Sequence, residues 1–516
     1  MRINHLTIYN FKNLHNFTID FDQNFFNTVI LGRNGIGKSN LLEALIIIFR
    51  DLDLGLPPRF PYQITYTCRE RTIMVDADPT RRAESIRISV NGTCISYAQF
   101  QAQPGQSYLP SHLFGYYSGP GDRMEQYFVE HQKKLYIDLI KGIDTEKRQQ
   151  PLLYARLIHS QFALLILLSQ EDPVFLSILR EHLGTEKLHS VLFVLQKPSW
   201  MRDSPDLRSV GGDMSHFLER LSALAPPSIS APQHRETAFN QSTTIEHLYF
   251  YLPNKAAIGE FAKLYGDDPQ KLFQALESAS ISGILSDLKI QVQSRGGHSF
   301  TLHLSEGEQQ LLMILGLLRI TRNDEALFLL DEPDSHLNPA LSIQYTDLIR
   351  KAVSPQETSQ IIMTTHNPIV VSNLDRPQIR ILQCNAETKK VRAVQPYESP
   401  IGLGFNTVLT SDFFNLNSTL DLSTQKLVNQ RRELAAQDVL TEQERQKLSD
   451  LNEKLRTSDL SISTDQVTLY HDFVMEYTRR AEAAMRQRAV LTPEQHKQKR
   501  ELIRTIIQEL KEKGDL

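Results

Sequence analysis

Asn27 to Phe49 reads NTVILGRNGIGKSNLLEALIIIF, a strand-like run, a glycine turn and an apolar helix in direct succession. The turn fits G-x-x-x-x-G-K-[ST] through Gly32, Gly37, Lys38 and Ser39, with Gly35 inside it. Glycines at those positions let backbone N–H groups point inward at a phosphate, and the helix that follows adds partial positive charge. Lys38 is then placed to reach the β- and γ-phosphates, and the Ser39 hydroxyl to bind Mg²⁺. Arg33, Asn34, Gly35, Gly37, Lys38, Ser39 and Asn40 are the candidate nucleotide-binding residues of this turn.

Two later stretches supply what such a cradle needs. ALFLLDEPDSHLNP, from Ala326, is an unbroken apolar run tipped with two acids. A short run of this kind suits a strand buried on both faces of a parallel sheet, and ligands bind beyond the carboxyl ends of such strands. Asp331 is the candidate Mg²⁺ partner and Glu332 the candidate base for the attacking water. IIMTTHN, from Ile361, is a second apolar run ending at His366. A lone histidine is often structural; its place one strand beyond the acid pair instead makes it a candidate sensor of the γ-phosphate.

LSEGEQQLL, Leu304 to Leu312, puts a polar, glycine-containing cap on an apolar helix. Together with the cradle and the two strand ends, it resembles the signature of the ATP-binding-cassette class, with Glu306 where the consensus has glycine. The resemblance implies that Ser305 and Gly307 serve ATP held by another protomer, and that Asp334 in PDSHLNP couples the two sites. INHLTIYNFKNL and GRNGIGKSNLLEAL resemble the RecF/SMC/OLD branch of that class. A glutamine should follow HLFGYYSG in this class, yet Ser118 to Gly121 contains none.

Composition bounds the rest. A net charge of −4 over 516 residues leaves nucleic-acid binding to local patches, and 41% hydrophobic residues allow large cores. The three cysteines, Cys68, Cys94 and Cys384, are far apart and form neither a metal motif nor a disulfide framework. No secretory leader is evident, and FALLILL at Phe162 to Leu168 is far short of the roughly 18–20 apolar residues a bilayer requires. A cytoplasmic protein without a membrane partner is expected.

The expected fold is α/β: an ABC-type head with a mixed-sheet lobe and a parallel-sheet core, split by a helical insert and followed by a helical tail. Lobe I spans 1–120 and a mainly helical insert 121–285, including PLLYARLIHSQFALLILL and the Pro/Ser-rich LAPPSISAPQ. Lobe II spans 286–400 and the tail 401–516. The insert lacks the sustained heptads of a chromosome-organising rod. The tail lacks the acid-tipped strand of OLD-type nucleases. Thr441 with Glu444, and Thr492 with Gln495 behind Pro493, read as capping boxes that open tail helices.

Within the branch, the chain resembles stand-alone ATPases of bacterial anti-phage systems: the Septu ATPase subunit, its retron-associated relatives and the PARIS ATPase. That resemblance implies ATP and Mg²⁺ as cofactors and an ATP-sandwiched homodimer or higher oligomer. It also implies a separately encoded effector nuclease of HNH or Toprim type. The alternative is a RecF-type DNA-repair ATPase that binds DNA directly. The basic pairs Arg81-Arg82, Lys133-Lys134, Arg431-Arg432 and Arg479-Arg480 are too scattered to form an evident DNA-binding stripe.

Overall fold

A computed structural model describes residues 1–81, 84–101, 108–143, 152–201, 211–225, 229–238, 241–294, 299–321, 325–353, 358–385, 388, 390–414, 416, 418–435, 441–457 and 493–512. Two compact units divide it, Met1–Gln395 and Pro396–Leu516.

In the first unit, β1 (Arg2–Phe11), β2 (Leu14–Asp20), β4 (Tyr62–Cys68), β5 (Arg71–Ala77), β6 (Ile86–Val90) and β7 (Thr93–Ile95) form an antiparallel sheet in the order β2-β1-β4-β5-β6-β7. Alternate residues of β4 are buried, as one-sided packing demands. A seven-stranded sheet has the order β18-β17-β3-β16-β15-β8-β9. Its strands are β3 (Asn27–Leu31), β8 (His112–Tyr117), β9 (Leu152–Tyr154), β15 (Ala326–Asp331), β16 (Gln360–Thr364), β17 (Ile379–Cys384) and β18 (Val391–Val394). Every residue of β3, β15 and β16 is buried, and these strands run parallel to one another. Their unbroken apolar runs follow from cover on both faces.

The helix Lys38–Leu54 lies in one apolar core with both sheets. Leu41, Leu42, Leu45 and Ile46 are fully buried, and Phe49 meets Tyr66 of β4 edge-on at 5.4 Å. A helix apolar on nearly all sides is what burial between two layers requires.

Residues 121–285 carry strands beside the expected helices. PLLYARLIHSQFALLILL begins with β9, paired parallel to β8, before the helix Ile158–Ser169 starts. β10 (Thr185–Gln196), β11 (Ile229–Ala238) and β12 (Gln241–Leu252) join β13 (Leu285–Ser294) and β14 (Ser299–Thr301) in a sheet ordered β11-β12-β10-β13-β14. Pro232, within the Pro/Ser-rich stretch, sits on the edge strand β11, where a missing backbone donor is tolerated. FALLILL is the buried body of the helix Ile158–Ser169. Among the described residues, no single helix is long and apolar enough to cross a membrane.

The second unit contains the helices Gly404–Thr410, Leu422–Ala435, Glu442–Thr457 and Pro493–Glu512. Thr441 and Glu444 form the expected capping box, with Thr441 N donating to Glu444 Oε2 at 2.9 Å. Thr492, Arg82, Arg479 and Arg480 lie outside the described residues.

Candidate functional site

Strand order brings the chemistry together. β16 lies between β3 and β15, with Thr364 beside Ile30 on one side and Asp331 on the other. The carboxyl ends of three neighbouring strands therefore deliver the glycine turn, the acid pair and His366 to one edge of the sheet.

The turn is held by a residue that motif reading passes over. Asn13, in the β1–β2 connection, donates through Nδ2 to the Ile36 carbonyl at 2.9 Å and the Gly35 carbonyl at 3.3 Å. Its Oδ1 accepts from Asn40 Nδ2 at 2.7 Å. Gly37 has φ 114°, and a Cβ there would lie 2.7 Å from Asn13 Oδ1, so both backbone and space demand glycine. Arg33, Asn34 and Gly35 are exposed, Ser39 and Asn40 half-buried, and Lys38 buried. Lys38 Nζ donates to the Gly32 carbonyl at 2.9 Å. Burial lowers its pKa, and the nearby Glu332 and Asp331 charges partly oppose that. All three groups thus share one electrostatic neighbourhood.

Asp331 is 1% exposed. Its Oδ1 accepts from the Thr364 hydroxyl, while Oδ2 is buried with no hydrogen-bond partner. A buried carboxylate oxygen without a donor is costly unless a cation or its water supplies the contact. That donor set fits Mg²⁺, which takes few protein ligands and completes its shell with phosphate oxygens and water. No cluster of three or more His, Cys, Asp or Glu capable of caging a metal occurs among the described residues.

Glu332 has φ 53°, a left-handed conformation that costs a non-glycine residue about 1–3 kcal/mol. Its backbone is pinned on both sides: Glu332 N donates to Thr364 Oγ1 at 3.0 Å, and its carbonyl accepts from Ser335 N at 3.3 Å. The bend turns the half-exposed carboxylate toward His366, whose Nε2 stands 3.3 Å from Glu332 Oε1. Burial first, and Lys38 next, lower the His366 pKa, with Glu332 and Asp331 opposing. A neutral imidazole at neutral pH is the consequence, able to donate one hydrogen bond without competing for the charge of Lys38.

Asp334 is buried rather than presented outward. Its Oδ2 accepts from Thr365 Oγ1 at 2.5 Å, which ties the loop after β15 to the residue beside His366. Ser305 caps the helix Glu306–Ile320 in a reciprocal capping box with Glu308. Ser305 and Glu306 are exposed and Gly307 is buried. A Cβ on Gly307 would lie 2.3 Å from the His336 carbonyl oxygen, so the glycine admits the loop after β15 against the helix tip. The next turn continues this link: Gln310 Nε2 donates to Tyr116 OH at 2.9 Å and approaches the Glu332 carbonyl at 3.5 Å. Besides Asn13, sequence reading missed Thr364 and Gln310. The threonine stood visibly inside IIMTTHN, at the end of the apolar run.

Parts of the chain are similar to known proteins. Residues 1–94 match the family model "AAA ATPase domain", and residues 230–372 match a second model described as "AAA domain" and associated with a "Type IV TA system". These matches make the chain similar to ATPases of the RecF/SMC-like ABC class. The chain is 25% identical to the Septu protein PtuA of Bacillus mycoides over 37% of this chain and 28% of that one. It is also 22% identical to the DNA replication and repair protein RecF of Crocosphaera subtropica over 68% of this chain and 90% of RecF. The chain thus spans little more than a quarter of the Septu relative. An Smc head bound to the C-winged helix domain of ScpA aligns over 77% of this chain and 98% of that one, at 16% identity and a TM-score of 0.34.

Proposed function

We propose that this chain hydrolyses Mg·ATP and acts as the sensor and regulatory ATPase of a bacterial anti-phage system with a separately encoded effector nuclease. The observation that carries the ATPase reading is the meeting of Lys38, Asp331, Glu332 and His366 at adjacent strand ends. Lys38 holds the β- and γ-phosphates in the glycine turn. Ser39 and Asp331 would hold Mg²⁺, which would offset phosphate charge. Glu332 accepts a proton from the attacking water as the γ-phosphoryl bond to ADP breaks, and His366 donates a hydrogen bond to the γ-phosphate. The exposed tip at Ser305 serves ATP held by a second copy, in a homodimer or higher oligomer, and Asp334 links the two sites through Thr365.

The defence role rests on the likeness to the Septu protein, and the effector is of HNH or Toprim type. The test is co-expression with nucleases encoded beside the gene. The full chain should co-purify with one of them, and a chain lacking residues 427–516 should lose it while still binding ATP. Partner capture at full stoichiometry by the truncated chain would move the docking surface elsewhere.

The match to RecF across most of RecF's length favours a second reading, direct DNA binding in repair. That reading requires affinity for DNA ends or gaps that falls steeply with salt, without a protein partner.

A further inference from the structure

The class places a glutamine in the loop after β8; this chain has Ser118 to Gly121 and then Asp122 and Arg123. The loop is fastened to the acid strand, for Ser118 N donates to the Asp331 carbonyl at 3.2 Å. Arg123 is fastened to the cradle helix. Its Nε donates to Glu43 Oε1 at 2.6 Å and its Nη2 to Asn40 Oδ1 at 2.7 Å, one residue past Ser39. Nη1 carries no bond to any described residue, and the side chain is 40% exposed.

Charge balance points the same way. Glu43 is fully buried and needs one cation, yet it has two, Lys12 and Arg123, and a hydrogen bond from Tyr127 OH at 2.8 Å. The cluster keeps one positive charge in excess. Burial lowers the Arg123 pKa, and Glu43 and Asp331 together outweigh it, so Arg123 lies within electrostatic reach of the acid strand.

We propose that Arg123 binds the γ-phosphate of ATP in the same chain's cradle, with Asn40 and Glu43 as the residues that position it. The inference rests on the ATP-binding reading. A planar guanidinium with two donors anchored and one edge open suits a phosphate oxygen, and lysine cannot reproduce that fork. Arg123 then distinguishes ATP from ADP and makes the β8 loop respond to the terminal phosphate.

Calorimetric titration of the full chain with Mg·AMP-PNP and with Mg·ADP tests this. Loss of one charge-assisted bond predicts that Arg123→Ala weakens AMP-PNP by about ten- to a hundredfold while leaving ADP unchanged. Arg123→Lys should recover part of the difference. Arg123→Gln, which retains a donor toward Asn40, guards against collapse of the loop and should show the same selective loss. Equal weakening of both nucleotides would reduce Arg123 to a strut for the cradle and overturn the proposal, as would no weakening of either. A wild-type chain that bound neither nucleotide would instead overturn the ATP reading beneath it.

Discussion

The cradle edge of the seven-stranded sheet and the capped tip at Ser305 are both polar breaks in apolar elements, yet they differ in how far one chain completes them. At the cradle edge, Lys38, Asp331, Glu332 and His366 converge, a buried carboxylate oxygen lacks a donor, and Glu332 holds a strained backbone. At the tip, Ser305 and Glu308 satisfy each other in a capping box, and Ser305 stays exposed. The strained Glu332 backbone and the unpartnered Asp331 Oδ2 set the cradle edge apart from the satisfied cap at Ser305. A satisfied, exposed cap gains a role only from something brought to it. Between them runs a physical link, the close approach of Gly307 to His336 and the bonds of Gln310.

The contrast breaks most sharply at Lys38. Lys38→Ala should reduce ATP affinity by about a hundredfold or more, since the phosphates lose their mobile cation. Ordinary affinity by calorimetry would remove the cradle as the nucleotide site. Glu332→Gln should leave Mg·ATP bound, because Asp331 and Lys38 are untouched, and lower kcat by about 10²–10⁴-fold. Turnover at the wild-type rate would place the base elsewhere.

Ser305→Arg addresses the other side of the contrast. ATP binding should persist while hydrolysis falls by about a hundredfold, the usual effect of losing one donor at a charged transition state. Mixed with Lys38→Ala protomers, the variant should regain activity, because one intact cradle then meets one intact tip. Absence of complementation between folded, associating variants would make the tip a helix cap and nothing more.

What the sequence disclosed tracks the range of the interactions. β3, β15 and β16 were legible because burial on both faces writes itself as an unbroken apolar run, and the residues at their ends could be named from position alone. Asn13 and Arg123 were not legible. Each acts through a contact made only when distant segments meet, Asn13 from a hairpin and Arg123 from a loop fastened to Asp331. Two strands within 121–285, β9 and β11, were hidden for a different reason. β9 is a three-residue edge piece running into an apolar helix, and β11 carries a proline that reads as a break. Edge strands need little of the alternation that identifies a strand.

The smallest expected effect concerns Asp334, on the link between the two regions. Burial raises its pKa from the ordinary 3.8 to about 6, with the Thr365 hydroxyl opposing. The folded chain therefore retains a proton that the unfolded chain releases between about pH 4 and 6. The contribution of Asp334 to stability therefore falls as pH rises through that window and stays lower above it, by at most about 3 kcal/mol. Asp334→Asn keeps an acceptor for Thr365 and removes the titration. Melting curves of the two proteins should accordingly separate as pH climbs from 4 to 6.5, with the variant the more stable by about 2–4 °C at the upper end. Parallel curves would mean that Asp334 titrates as it does in the unfolded chain. A melting temperature raised at pH 7, paired with slower ATP turnover, would identify the buried carboxylate as a cost borne for coupling Thr365 and His366 to the loop at the helix tip.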